Sequence, residues 1–221
     1  MKLLMNAAVK LVCGLLLTFL LLFAPAGTWY YPGGWLFIGL LFLPMLILGL
    51  ALYLKAPELL KKRLNMKETQ KDQVWVVALS GVLFIAAFLA AGFDFRFGWT
   101  RVPGWLVWIA AIVQLGSYGL YAEVLRENAY LSRTVEVQEG QTVIDTGLYG
   151  IVRHPMYTAT ILMSLAIPLV LGSWLSFLPM LLYPVIIIRR IHGEEALLEE
   201  GLPGYREYKE KVRWRLLPYI W

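Results

Sequence analysis

The sequence is short of charge and of cysteine, and each shortage removes a class of protein. Only 16% of its 221 residues are charged and 59% are hydrophobic, against roughly 25% and 45–50% in an average soluble domain. A soluble domain of this length could not hide that much apolar surface. A single cysteine, Cys13, rules out a disulfide framework, a Cys-x-x-Cys redox pair and a thiolate zinc site. Two histidines, His154 and His192, are too few for the imidazole-rich membrane di-iron oxygenases, and no H-x-x-x-H pattern occurs, so no metal site is expected from them with Glu194 and Glu195. Neither G-x-G-x-x-G nor G-x-S-x-G is found, which excludes a soluble enzyme of the glycine-rich dinucleotide-fold type. The net charge of +5 sits beside hydrophobic runs, so its expected partner is anionic membrane lipid and not nucleic acid.

What is present is a series of long apolar runs. A membrane span needs about 20 mostly apolar residues. Ala7 to Ala26, Gly33 to Leu54, Val74 to Gly92 and Pro103 to Ala122 meet that need. A fifth region, Pro155 to Ile188, carries no charge and is too long for one straight span. Gly172 and Ser173 divide it into an expected hairpin, Tyr157 to Gly172 and Trp174 to Ile188, with Pro168, Pro179 and Pro184 bending the arms. Because both arms are short, five full spans remain an alternative to six.

Positive charge is retained on the cytoplasmic side of a membrane. Of the 20 Lys and Arg residues, Arg96 and Arg101 alone fall on the opposite side in a six-span arrangement. The chain therefore reads as all-α, a polytopic integral membrane helical bundle of about six spans. The last two form a short helical hairpin, followed by a cytoplasmic amphipathic helix, with both termini inside. The first run also has the outline of a signal peptide, with Lys2 ahead of it, Lys10 near its start and Ala24-Pro25-Ala26 at its end. Its near-spanning length favours a retained helix, and Trp29, Tyr30, Tyr31 and Trp35 then form an interfacial aromatic belt.

Two long polar segments interrupt the runs. Lys55 to Gln73, with Lys61-Lys62-Arg63, reads as a basic loop facing lipid headgroups. Arg126 to His154 is richer: Glu136 to Tyr157 reads EVQEGQTVIDTGLYGIVRHPMY and enters the next helix through Arg153-His154-Pro155. Proline suits the first helical turn. Residues three apart, such as His154 and Tyr157, share a face there. The far end of the hairpin carries Arg190, Glu194 and Glu195, and Arg190 and Glu194 are four apart, the spacing of neighbours on a helix. If the hairpin starts and ends on one side, these two stretches converge at the membrane surface. Each residue has a plainer alternative: Arg153, Arg189 and Arg190 as topology anchors, Tyr149 and Tyr157 as belt tyrosines, Glu194 and Glu195 as solvated helix residues.

Together the motifs resemble a family, the membrane methyltransferases that include isoprenylcysteine carboxyl methyltransferase and, more distantly, phospholipid N-methyltransferases. The resemblance covers Gln141 to Pro218. It rests on T-G-x-Y at Thr146 to Tyr149, R-H-P-x-Y at Arg153 to Tyr157, R-x-x-x-E-E at Arg190 to Glu195 and the tail G-Y-R-E-Y-K-x-x-V-x-R at Gly204 to Arg215. It implies S-adenosylmethionine as cofactor, contacted by Gln141, Thr142, Val143, Ile144, Tyr149, His154, Pro155, Met156, Tyr157 and Glu194. Arg190 matches the position that holds the substrate carboxylate, and Arg190, Tyr157 and Glu195 are the expected catalytic residues. Two positions depart from the pattern: Thr134 stands where a further polar cofactor contact is expected, and Thr158-Ala159 follows R-H-P-x-Y where glycine is frequent.

The function so implied is methyl transfer to a membrane-embedded, lipophilic or lipidated acceptor, an isoprenylcysteine-like carboxylate first and a lipid amine or small thiol next. Residues 1–125 would supply four lipid- and substrate-facing spans, and residues 126–221 the methyltransferase core, with the site cytoplasmic. An NADPH-dependent membrane reductase and a non-enzymatic membrane scaffold are the competing readings.

Overall fold

A computed structural model gives the fold and describes residues 2–65, 70–134 and 136–221, with the backbone alone at 71 and 72. No strand occurs among the described residues. Four long helices follow the first four apolar runs: α1 (Lys2–Ala26), α2 (Pro32–Lys55), α4 (Lys71–Phe97) and α5 (Gly104–Glu127). Part of the basic segment from Lys55 to Gln73 lies outside the described residues. Its described portion is not plain loop, since Pro57–Leu64 forms a short helix, α3, that buries Leu59 and Leu60.

The hairpin forms as α6 (Pro155–Val170), followed after a turn at Gly172 by α7 (Trp174–Met180) and α8 (Tyr183–Gly201). Its second arm differs from the expected Trp174 to Ile188 in two ways. It breaks at Leu181–Leu182 between Pro179 and Pro184, because proline has no N–H to give and its ring crowds the preceding turn. It then continues to Gly201 and carries Arg190, Glu194 and Glu195 on one rigid rod. The tail folds into α9 (Tyr205–Lys211), which buries Tyr205 and Tyr208.

Among the described residues, five segments are long and apolar enough to cross a membrane, α1, α2, α4 from Gln73, α5, and α7 with α8; α6 is a shorter apolar helix of 16 residues. At 1.5 Å per residue α6 measures roughly 24 Å, yet it runs from the polar loops to the turns at the far end. Only 6% of the α2 window is buried inside the protein, and Ile47, Leu54 and Ile112 are each more than two-thirds exposed. A multi-pass integral membrane protein shows such a surface, because the apolar face is solvated by lipid.

Between helices in lipid, close packing does the work that water exclusion does elsewhere. Small residues allow it: a Cβ on Gly92 of α4 would come within 2.6 Å of the Leu22 carbonyl oxygen of α1. Around that approach Leu22, Phe37, Phe88, Ala91 and Val170 form one buried cluster. A second cluster, nearer the polar loops, joins Leu83 and Ala87 to Tyr157, Tyr183, Ile187 and Ile191.

At the end of the bundle away from the polar loops, the turns are tied together. Asp94, 1% exposed, accepts from the Thr100 backbone N–H at 2.7 Å and from the hydroxyls of Thr100 and Ser173. The Tyr31 hydroxyl donates to the Leu171 carbonyl at 2.8 Å. Buried polar groups need such partners, and here meeting that need fixes the hairpin apex to the turns after α1 and α4.

Candidate active site

The polar segment and the end of α8 meet in one cleft at the other end of the bundle. Residues 141–144, Tyr149, His154, Met156 and Tyr157 line it from the loop and α6, and Arg190 and Glu194 from α8. It is an open cleft, about 860 Å³ when the solvent-filled space at its mouth is counted.

At its floor an arginine and a glutamate are joined through a phenol. Arg190 Nε donates to the Tyr157 hydroxyl at 2.9 Å, and that hydroxyl donates to Glu194 Oε2 at 2.5 Å. Arg190 Nη2 donates to the Arg133 carbonyl at 2.7 Å. Gln73, from the first turn of α4, accepts from Arg190 Nη1 at 3.4 Å and donates to the Arg190 carbonyl at 3.5 Å. Its amide reaches α8 because Gly193 has no side chain: a Cβ there would lie 2.4 Å from Gln73 Nε2. No motif in the sequence marks Gln73, which lies far upstream and meets Arg190 only through the packing of α4 on α8.

Behind the floor lies a buried ionic knot. Glu195, 3% exposed, accepts from Arg153 Nε at 2.8 Å, faces His154 Nε2 at 3.2 Å and accepts from Arg215 Nε at 3.0 Å. Arg153 Nη1 also donates to the carbonyls of Val212 and Arg213 at 2.7 and 2.9 Å. Glu195, expected from the motif as a catalytic group, does not line the cleft, and both its oxygens are engaged by Arg153, His154 and Arg215. Pro155 does not line it either. It opens α6 at the first turn and is buried, and its contribution is to aim His154 and Tyr157, whose rings stack with centroids 5.6 Å apart.

The tail motif closes the knot. Backbone N–H groups of Arg153 and His154 donate to the carbonyls of Trp214 and Arg215, each at 2.9 Å. Thr158, at a position where glycine was expected, donates from its hydroxyl to the Leu216 carbonyl at 2.9 Å. Thr134 lines the cleft, and its hydroxyl donates to Glu136 Oε1 at 3.1 Å.

The T-G-x-Y motif has a local cause. Gly147 adopts φ +51°, and a Cβ there would fall 1.5 Å from Glu127 Oε1. The same carboxylate accepts from the Leu148 N–H at 2.9 Å and so fixes the short turn that presents Tyr149. The Tyr149 hydroxyl accepts from Asn128 Nδ2 at 3.0 Å, and its carbonyl accepts from the Tyr208 hydroxyl at 2.8 Å. Burial pushes the titration of both phenols up, so they act as neutral hydrogen-bonding groups. Gly147→Ala is expected to cost about 1–3 kcal/mol of loop strain and to loosen the 141–149 wall, measurable as faster proteolytic cleavage within that loop. Unchanged cleavage would show that the turn does not need glycine.

Residues 108–200 match the isoprenylcysteine carboxyl methyltransferase family, a segment running from within α5 nearly to the end of α8. Among curated proteins the chain is similar to the Delta(14)-sterol reductase TM7SF2 of Mus musculus, 28% identical over 91 residues, which is 40% of this chain and 22% of that protein. It is also similar to the Delta(14)-sterol reductase of Methylotuvimicrobium alcaliphilum, 23% identical over 93 residues, 41% of this chain and 22% of that protein. The chain thus spans about a fifth of the length of these two relatives.

Proposed function

From the match of residues 108–200 to the isoprenylcysteine carboxyl methyltransferase family, we propose that the protein moves a methyl group from S-adenosylmethionine to a carboxylate on a membrane-embedded, lipidated acceptor of the isoprenylcysteine kind. The observation that carries this reading is the Arg190–Tyr157–Glu194 chain on the cleft floor, a cation and an anion held side by side at the bundle end. The donor set fits the cofactor: Glu194 can accept from an ammonium or a ribose hydroxyl, and electron-rich tyrosine faces suit a sulfonium. Residues 141–144, Tyr149, His154, Met156 and Tyr157 complete the binding wall. When bound, S-adenosylmethionine supplies an electrophilic methyl group on sulfur.

The residues of the chain do the rest. Arg190 presents a planar fork suited to a carboxylate, and Gln73 and the Arg133 carbonyl hold that fork in place. The acceptor carboxylate is ionised near neutral pH, so no side chain has to remove a proton. Alignment and partial exclusion of water supply the acceleration. Glu195 is a positioning residue, setting Arg153, His154 and the tail. A lipid amine or a small thiol as acceptor would also need a proton acceptor, and Glu194 is the cleft carboxylate nearest that task. Residues 1–125 would select the lipid part of the acceptor and residues 126–221 would carry the chemistry. The excess of Lys and Arg at the cleft end supports a cytoplasmic position for it.

Similarity to two sterol reductases favours a second reading, an NADPH-dependent membrane reductase. Calorimetry on the purified full-length protein separates them. S-Adenosylhomocysteine is expected to bind and NADPH not to, and Glu194→Ala and His154→Ala should each weaken binding by about tenfold or more, as loss of a charge-assisted contact does. Radiolabelled methyl transfer to a prenylated cysteine then identifies the acceptor class. Unchanged affinity in both variants would falsify the site, and NADPH binding alone would transfer the case to the reductase.

A further inference from the structure

The cleft has two unlike halves. One is ionic, around Arg190, Tyr157 and Glu194. The other is apolar and aromatic: Tyr205 and Tyr208, their rings 5.7 Å apart, pack with Leu202, Val143 and Leu198. The Tyr208 hydroxyl is engaged with the Tyr149 carbonyl. Tyr205 is different. It is 4% exposed, it lines the cleft, and its hydroxyl is buried with no hydrogen-bond partner among the described residues. A buried polar group left unpaired costs about 1–3 kcal/mol, so native proteins rarely keep one without a reason.

The surroundings of that hydroxyl indicate what it is kept for. Burial first, and then the carboxylates of Glu195 and Glu194, push the Tyr205 titration well above its ordinary value, so the group stays protonated and able to donate. Its ring belongs to the apolar cluster, and the residue lines the same cleft as Arg190, Tyr157 and Glu194. A ligand that satisfies it must therefore offer an oxygen or nitrogen at the boundary between a charged portion and a flat apolar portion.

We infer that Tyr205 is a nucleoside-binding residue, its ring forming a wall for the base and its hydroxyl hydrogen-bonding a ribose hydroxyl of the S-adenosyl ligand. This rests on the methyl-transfer reading and adds to it a contact in the tail that no motif had assigned. The ligand is itself divided in the same order as the cleft: a charged amino-acid end, a ribose, and an adenine. With the ammonium end beside Glu194 and the adenine against the Leu198–Leu202–Tyr208 lobe, the ribose would fall at the boundary.

The test uses Tyr205→Phe in the full-length protein in lipid nanodiscs, a change that keeps the ring and its packing. Calorimetry with S-adenosylhomocysteine should show roughly five- to tenfold weaker binding, the range of one neutral hydrogen bond. Either the 2′-deoxy or the 3′-deoxy analogue should bind wild type and variant equally, identifying the hydroxyl contacted. The ligand-free thermal midpoint should stay the same or rise, because an unpaired buried hydroxyl has been removed. Equal affinity of variant and wild type for S-adenosylhomocysteine overturns the inference alone, as does an equal loss for both analogues. Absence of binding to the wild type overturns the inference and the methyl-transfer reading together.

Discussion

Glu195→Ala will lose roughly 3–5 kcal/mol of stability, the range measured when one member of a buried ion cluster is removed. Glu195 is the shared acceptor of Arg153, His154 and Arg215. Removing it leaves two guanidinium groups facing a space that water reaches poorly, and Arg153 is 5% exposed. For a chain of this size the loss corresponds to about a 10 °C fall in thermal midpoint, read by tryptophan fluorescence in detergent. Glu195→Gln, which keeps the shape and loses the charge, should fall between alanine and wild type. The contrast with Glu194 is the informative part: Glu194→Gln should weaken ligand binding with little effect on the midpoint. A Glu195→Ala protein that melts within a degree or two of wild type would remove the anchoring role.

Arg190→Ala should reduce methyl transfer to a prenylated cysteine by about two to three orders of magnitude, as truncation of one partner of a buried charge pair costs 2–5 kcal/mol. Arg190→Lys should recover little of it, because an ammonium cannot reproduce the planar fork that meets a carboxylate with two parallel bonds. The loss should appear mainly against the acceptor. S-Adenosylhomocysteine affinity should fall by less than about tenfold, since Arg190 is linked to Glu194 through the Tyr157 hydroxyl. Steady-state rates at varied acceptor concentration, set beside calorimetry, measure both. Near-normal transfer by Arg190→Lys would mean that the acceptor carboxylate is held elsewhere, or that the acceptor is not a carboxylate.

Much of the membrane architecture could be read directly from the chain, because lipid demands long apolar runs and forbids exposed backbone. The hairpin followed from an uncharged stretch with glycine at its centre. Its break at Leu181–Leu182 was foreshadowed by Pro179 and Pro184, and the four-residue spacing of Arg190 and Glu194 pointed to a helix beyond it, though not to its end at Gly201. Within the cleft, His154, Tyr157, Arg190 and Glu194 were legible because they sit in short fixed spacings at the two ends of one hairpin. Glu195 looked identical to Glu194 in sequence. One helical position rotates it about 100° away from the cleft, where Arg153 and Arg215 claim it, and Arg215 arrives from a tail whose path no periodicity reveals. Gln73 and Arg63 were hidden for a related reason. Arg63, read as part of a lipid-facing basic loop, instead donates to the Ser132 carbonyl at 2.8 Å and bonds the Tyr121 hydroxyl, so α3 packs as a strut against the loop that walls the cleft.

The knot at Asp94 gives the bundle a fulcrum. A hairpin clamped at its apex cannot slide lengthwise past its neighbours, so the freedom left to it is angular. The lever arm is then longest at the opposite extremity, where His154 and Arg190 stand. A slight change of tilt at the pinned end therefore becomes its largest displacement at the rim of the cleft.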